Sequence, residues 1–296
     1  MQQLFPGVFF GSLICFLSLL VSTSLRAEDK YPWTKDHCER LQIAIAQNDF
    51  PLAEAEIKAG ANPSEYSSTY NAWSPFTDAI ASKKLPWVQW LFDHGADVNR
   101  PDANATPLMR AAEAGDNEIF EFLLQHGADF KARSSAKENP FITAARCYQA
   151  GTLEYIKADH PEIVSDGDTL NEALLAAAGA GASQSVRTLL KFGADVKTRN
   201  ASEETPLLCA CMRGYTIVAR ILLEHGADIN AEDNWGYTAL NEAASGGYLK
   251  LIEMLLAAGA DPTIKDRFKW QTPAESARSN GHQKAAMLLQ TAKKNR

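Results

Sequence analysis

The sequence predicts an all-α solenoid of about eight helix pairs joined by short β-hairpin links. Two motifs lead to this fold class. The first motif, such as "LLEHGADIN" from Leu222, ends a helix-like run and starts an extended one. The second motif, such as "TPLMRAAEAGD" from Thr106, recurs with the same spacing as the first. Both recur about every 33 residues, and a fixed period of that length is typical of stacked units rather than a single closed core.

The glycine of the first motif fixes the period. The intervals between its copies are 35, 32, 66, 33 and 33 residues, for Gly60, Gly95, Gly127, Gly193, Gly226 and Gly259. The long interval equals two periods, so we expect one divergent unit near His160.

The second motif opens each unit. Its copies start at Thr106, Thr205, Thr238 and Thr272, with weaker ones at Ser74 and Asn139, a divergent one at Glu172 and a first one at Leu41. We expect the Thr to cap a first helix and the Pro after it to occupy the first turn, where no amide hydrogen is needed. Gly115 and its equivalents then break that helix. A second helix follows, and Gly226 and its equivalents end it in a left-handed conformation.

This pattern resembles the ankyrin repeat family over about residues 36–292. The resemblance implies a curved array that binds another macromolecule on a concave face lined by first helices and hairpin tips, with no catalytic signature. The family usually places His after Thr-Pro-Leu, where it bonds neighbouring backbone. Here that position holds Met109, Ile142, Leu175, Leu208 or Asn241, so we expect this buttress to be missing in every copy.

The N-terminus differs from the repeats. The run Val8–Val21 carries no charge, and Ala27 precedes Glu28 at a plausible cleavage point. We therefore predict a secretory signal at 1–27, a linker at 28–35, the repeat domain at 36–292 and a basic tail at 293–296. The expected location is periplasmic or secreted, and an uncleaved membrane anchor is the alternative.

The amino-acid composition disfavours several classes of binding partner and ligand. The net charge is −7, with no basic stripe, so we expect no nucleic acid partner. His94, His126 and His225 share one repeat position and are spaced too far apart to bind one metal, so we expect helix C-terminal caps, no metal and no cofactor. Stacking should also keep the cysteines free, with Cys209 at an exposed position.

These observations predict a non-catalytic protein-binding module acting in the periplasm, as a scaffold, inhibitor or immunity-type binder. A secreted effector that binds host proteins is the alternative, and an enzyme is less favoured. The expected binding residues are those that the repeat motifs do not dictate, with Trp235 as the foremost: Tyr70, Arg100, Asn104, Arg110, Glu113, Arg146, Met212, Trp235 and Phe268.

Overall fold

The helix pairs predicted from the repeat are present. The computed structural model describes residues 36–65, 73–102, 105–164 and 167–294, and within these ranges it holds sixteen α-helices, one 3-10 helix and no strand. The all-α prediction is confirmed, with eight helix pairs. The predicted signal and linker lie outside the described residues.

Each pair has a first and a second helix. The first helices are α1 (His37–Gln47), α3 (Pro75–Ala81), α5 (Pro107–Ala114), α7 (Pro140–Arg146), α9 (Gly167–Ala180), α11 (Pro206–Met212), α13 (Ala239–Ser245) and α15 (Pro273–Ser279). The second helices are α2 (Phe50–Lys58), α4 (Leu85–Asp93), α6 (Asn117–Gln125), α8 (Ala150–Asp159), α10 (Ser183–Lys191), α12 (Thr216–Glu224), α14 (Leu249–Ala257) and α16 (Gln283–Lys294). The last helix therefore includes the start of the predicted tail.

The chain divides into two compact units: unit 1 comprises residues 1–110 and 118–129, and unit 2 comprises residues 111–117 and 130–296. In unit 2 the first helices α7, α9, α11, α13 and α15 contact one another in chain order, and so do the second helices α8, α10, α12, α14 and α16. Unit 2 is thus built from two helix layers. In unit 1, α1 packs against α3, and Phe92 of α4 meets Phe122 of α6 edge to face.

Side-chain caps start the first helices as predicted. The Thr205 hydroxyl accepts a hydrogen bond from the Leu208 amide at 3.3 Å, and the Asn139 side chain does the same for Ile142 at 2.9 Å. Such caps satisfy amides that have no partner within the helix.

The prediction that the buttress is missing in every copy is wrong. At the third helical position, the side chains of Thr77, Asn241 and Glu275 accept a hydrogen bond from the backbone amide of their own capping residue. The histidine itself is absent, but three repeats replace it with a reciprocal capping box.

The second helices end as predicted. Gly226 has φ of 86°, and the equivalent glycines are also left-handed. The histidines before three of them cap the last turn: the Nδ1–H groups of His94, His126 and His225 donate to the carbonyl four residues earlier, at 2.7 to 2.8 Å. The divergent unit lies where expected, and α8 there is followed by a 3-10 turn (Pro161–Val164) instead of the glycine motif.

The links between repeats are tight turns rather than paired strands. In the link before α13, the Asp233 amide donates to the Tyr237 carbonyl at 3.1 Å. The nearest approach to strand pairing in the described residues is an isolated bridge between Asp102 and Ala105. Neighbouring links are joined by side chains, as where Asn230 accepts from the Asp261 amide at 2.9 Å.

Candidate functional site

The predicted binding residues fall in both units. Tyr70 and Asn104 lie outside the described residues. Arg100 and Arg110 belong to unit 1, and Glu113, Arg146, Met212, Trp235 and Phe268 to unit 2. The structure brings Glu113 and Arg146 together and assigns Arg110 a structural contact.

Arg110 forms an ion pair with a residue of the link that precedes its own helix. Its Nη2 lies 2.9 Å from an oxygen of the buried Asp102 carboxylate, and its guanidinium lies 4.8 Å from the ring centroid of Trp73. Removing one partner of such a buried pair leaves the other uncompensated. Arg110 was predicted to be free for recognition, and this contact gives it a structural role instead. Arg100, by contrast, is exposed and lies 3.7 Å from exposed Glu65.

Glu113 and Arg146 line one open depression of about 450 Å³ on unit 2. Its floor consists of small residues of α9, and its rim carries the charged and aromatic side chains. The other lining residues are Cys147, Tyr148, Ala176, Gly179 and Ala180. Volumes of this size accommodate a few side chains of a partner.

Arg146 supplies the positive charge of the depression. Its Nε donates to both carboxylate oxygens of Glu138, at 2.8 and 3.0 Å. Burial alone would lower the pKa of Arg146, but the Glu138 hydrogen bond and the charges of Cys147, Glu138 and Glu113 raise it above its usual value. Because Nε holds the position of the guanidinium, its terminal N–H groups are oriented for a planar acceptor such as a carboxylate.

Tyr148, on the rim, was not identified from the sequence. It occupies the position that Gly115, Gly181 and Gly214 hold in other repeats, and it keeps their left-handed conformation, with φ of 66°. Its hydroxyl donates to the Ala180 carbonyl, yet 62% of the residue is exposed. Asn48 and Lys83 share this conformation in other repeats, so it belongs to the turn after the first helix, and Tyr148 differs from them in placing an exposed aromatic ring there. The signal in the sequence was "ARCYQA", where the repeat motif lacks its glycine.

Met212 lines a second depression, of about 470 Å³, with Arg213, Tyr215 and Tyr248. Met212 is 44% exposed. Its flexible thioether side chain adapts to partners of different shape. Trp235 and Phe268 line neither depression; they lie on consecutive links and are 49% and 69% exposed.

The four cysteines in the described ranges are free thiols, but the predicted exposure of Cys209 is wrong. Burial, with the charge of Glu204, raises the pKa of Cys209 to about 12. The position itself is covered by neighbouring residues: Glu242, which holds it in the next repeat, is also half-buried, and burial raises the pKa of Glu242 to about 7. Burial raises the pKa of Cys147 to about 11, an effect that Arg146 opposes.

We therefore expect slow alkylation of the native thiols by iodoacetamide. At neutral pH the thiolate fractions of Cys147 and Cys209 are very small, and the thiolate is the nucleophile. Cys38 and Cys147 should be labelled before Cys209, and fully buried Cys211 only after denaturation. Time-resolved peptide mass spectrometry measures this order; labelling of Cys209 first would contradict the burial described here.

No group of three His, Cys, Asp or Glu side chains within the described ranges is arranged to hold a metal ion. In the same ranges, no helix combines the length and apolar composition needed to cross a bilayer.

Comparison with known families agrees with the repeat pattern. A family model described as ankyrin repeats (3 copies) matches residues 41–134, 108–200 and 174–266, together more than half of the chain. The chain belongs to the ankyrin repeat family. Ankyrin repeats are protein–protein interaction modules, and the ankyrin domain of this chain is such a module.

Similar proteins are much longer than this chain. The ankyrin repeat and KH domain-containing protein mask-1 of Caenorhabditis elegans is 30% identical over 174 residues, which are 57% of this chain and 6% of that protein. Human neurogenic locus notch homolog protein 1 is 34% identical over 122 residues, 40% of this chain and 5% of that protein. Palmitoyltransferase AKR1 of Lachancea kluyveri is 35% identical over 138 residues, 44% of this chain and 18% of that protein. The similarity therefore covers repeat segments and not the whole of these proteins.

Proposed function

We propose that this ankyrin domain is a non-catalytic binder of another protein, acting after export, and that the partner docks on the first-helix side of unit 2. The residues proposed to contact it are Glu113, Arg146 and Tyr148 in the first depression and Met212 in the second. The observation that carries the proposal is Tyr148, an exposed aromatic residue that lines the same depression as the hydrogen-bonded guanidinium of Arg146.

The chemistry of the first depression favours a particular kind of contact. A partner segment with a carboxylate can pair with the terminal N–H groups of Arg146, while an adjacent apolar side chain covers the Tyr148 ring. Tyr and Arg are the residue types most enriched among energetically dominant interface contacts. Glu113 and Glu138 keep the depression from being strongly cationic, which disfavours polyanions such as nucleic acid.

Tyr148→Asn is expected to weaken partner binding while leaving the fold intact. Asn48 occupies the same position in the first repeat with φ of 59°, so Asn suits this backbone. Loss of a central aromatic contact typically costs about 2 kcal/mol, which corresponds to roughly thirtyfold in affinity. The measurement is capture of partners from a periplasmic extract, followed by titration of the captured protein against each variant.

Two matched controls accompany Tyr148→Asn. Lys83→Asn introduces the same residue at the equivalent left-handed position of another repeat, φ of 55°, outside the depression. Met212→Ala and Ile217→Ala remove exposed apolar side chains, 44% and 66% exposed, from the first and second helices of one repeat. If Ile217→Ala weakens binding more than Met212→Ala while both stay folded, the partner uses the second-helix side and the proposed site is wrong.

The proposal includes export of the protein, which is tested separately by its intact mass. The uncharged run Val8–Val21 followed by Ala27 supports a cleaved signal. The intact mass of the protein from the periplasmic fraction should lack residues 1–27. A mature species that retains them would favour a membrane anchor and would leave the binding site to be tested separately.

A further inference from the structure

Two consecutive links of unit 2 carry three exposed aromatic residues. Trp235 lies in the link before α13, and Phe268 and Trp270 lie in the link before α15; they are 49%, 69% and 70% exposed. The Arg267 amide donates to the Trp235 carbonyl at 2.7 Å, so the two links are in direct contact. Exposed apolar residues that cluster on one surface indicate an interaction site more strongly than scattered ones do. We call this surface the aromatic tip.

The aromatic tip is held rigidly outward. Buried Asp266, 1% exposed, accepts hydrogen bonds from the backbone amides of Phe268, Lys269 and Gln271. This internal carboxylate orders the loop without help from the aromatic rings, which remain free to meet a partner. Trp270 also has a left-handed backbone, φ of 55°, at the position held by Gly236 in the preceding link. Lys137 and Glu203 hold the same position in other links, with φ of 62° and 60°, so this conformation belongs to the link turn. What distinguishes Trp270 is a large aromatic ring that is 70% exposed on that turn.

The exposed charges of the aromatic tip are mostly cationic, although the chain as a whole is acidic. The segment 265–270 reads KDRFKW, so cations alternate with aromatics. The only acid of this segment, Asp266, is turned inward, and Arg267 pairs with Glu232 at 2.6 Å. Lys265 and Lys269 are exposed, and neither has an ion-pair partner among the residues that the structure describes. Over the two links the three cations equal the three acids in number, but Asp233 and Asp266 are buried. The exposed charges of the tip are therefore Lys265, Arg267 and Lys269 against half-buried Glu232.

We propose that the aromatic tip docks on an anionic phospholipid surface. Trp and Phe rings partition into the interface between headgroups and acyl chains, and Lys and Arg side chains are attracted by anionic headgroups. A lipid surface needs no complementary pocket, which suits aromatic side chains that protrude instead of surrounding a cavity. This assigns Trp235 and Phe268, predicted from the sequence as protein-binding residues, to a lipid contact. The assignment is independent of the proposed protein site at Tyr148 and Arg146.

The test uses the full chain with vesicles of two compositions, pure phosphatidylcholine and an equal mixture of phosphatidylcholine and phosphatidylglycerol, each with a brominated phosphatidylcholine. Bromine quenches Trp fluorescence only at the bilayer. The uncharged run Val8–Val21 can itself bind vesicles, so total binding is not the readout. The readout is the difference in Trp fluorescence quenching between the unchanged protein and Trp270→Phe. This substitution removes the fluorescence of Trp270 and keeps an apolar ring at that position.

We expect Trp270 quenching on the anionic vesicles, and much less on phosphatidylcholine alone. Lys269→Glu should reduce the partition into anionic vesicles by roughly 25-fold, since it changes the charge by two and each charge near such a surface contributes about fivefold. Phe268→Ala should reduce it by about tenfold through the lost apolar area. Salt should weaken the binding because the charges are exposed.

Met287→Ala is the matched control, because Met287 is 66% exposed but lies on α16, outside the tip. Three results would overturn the proposal: no Trp270 quenching, equal quenching on both vesicle types, or a Met287→Ala effect as large as that of Phe268→Ala. If quenching is absent and Phe268→Ala instead weakens capture of a protein partner, the tip belongs to a protein interface. Loss of partner capture in Tyr148→Asn with vesicle quenching unchanged would separate the two sites.

Discussion

Leu222→Asp should lower the stability of the protein by at least about 3 kcal/mol, the largest effect expected here, because it places an uncompensated charge in a packed layer. Leu222 is fully buried on α12, whose neighbours are α10 and α14. A carboxylate there has no water and no partner, and its pKa would rise until it became neutral at a cost to folding. Thermal melting followed by circular dichroism measures the loss, roughly 6 to 12 °C for a chain of this size.

Glu224→Ala is the control for Leu222→Asp. Glu224 is two residues further along the same helix and is exposed, so its removal should change stability by less than about 0.5 kcal/mol. The comparison depends on the helix register alone, because the residues share one helix and one repeat. Equal melting temperatures for the two variants would contradict the assignment of the buried face of α12.

The features that recur in every unit were predictable from the sequence. A residue needed for each repeat-to-repeat interface appears about once per period, so the caps and the left-handed glycines could be identified by aligning the chain with itself. The histidines, which precede three of these glycines, were found in the same way. Thr205, Gly226 and His225 are such residues, and the structure confirms their roles.

The features that depend on a single interface were not predictable in the same way. Tyr148 replaces a glycine, and Ala182 stands at the position where the following repeats have Tyr215 and Tyr248. In those repeats the tyrosine lies against the glycine of the preceding unit. At the interface after Tyr148 the aromatic ring comes from the earlier repeat, and its hydroxyl donates to the Ala180 carbonyl of the following one.

The predicted binding residues remain a prediction. Those that the structure describes lie on first helices and links, but a position that varies between repeats is not necessarily free of contacts. Arg110 varies between repeats because it pairs with Asp102, a contact made in its own repeat. Cys209 varies as well, and its short side chain leaves it largely buried. Side-chain length and the neighbouring link decide which variable residues reach the surface, and neither follows from the repeat period.

Gly214→Ala should cost roughly 2 to 4 kcal/mol, the second of the largest effects. Gly214 has φ of 75°, and a Cβ built there would lie 2.8 Å from Cδ1 and 2.9 Å from Cγ of the Tyr248 ring. Two costs therefore combine: about 1 kcal/mol for an L residue in the left-handed region and about 1 to 3 kcal/mol for overpacking. The Cγ contact is at the fixed end of the ring, close to the backbone, so Tyr248 cannot relieve the clash by rotating its side chain alone. Urea unfolding at equilibrium gives the free-energy difference.

Gly226→Ala separates the two costs. Its φ of 86° imposes the same backbone strain, but nothing lies within 4 Å of the added Cβ, so only about 1 kcal/mol should be lost. The difference in the free energy of unfolding between Gly214→Ala and Gly226→Ala then measures the cost of overpacking against the Tyr248 ring of the following repeat. A Cβ built at Gly181 would likewise lie 2.8 Å from Cδ1 of the Tyr215 ring, so Gly181→Ala should lose as much stability as Gly214→Ala. If all three variants lose the same amount, backbone strain alone sets the cost, and the contact between ring and glycine does not contribute to holding neighbouring repeats together.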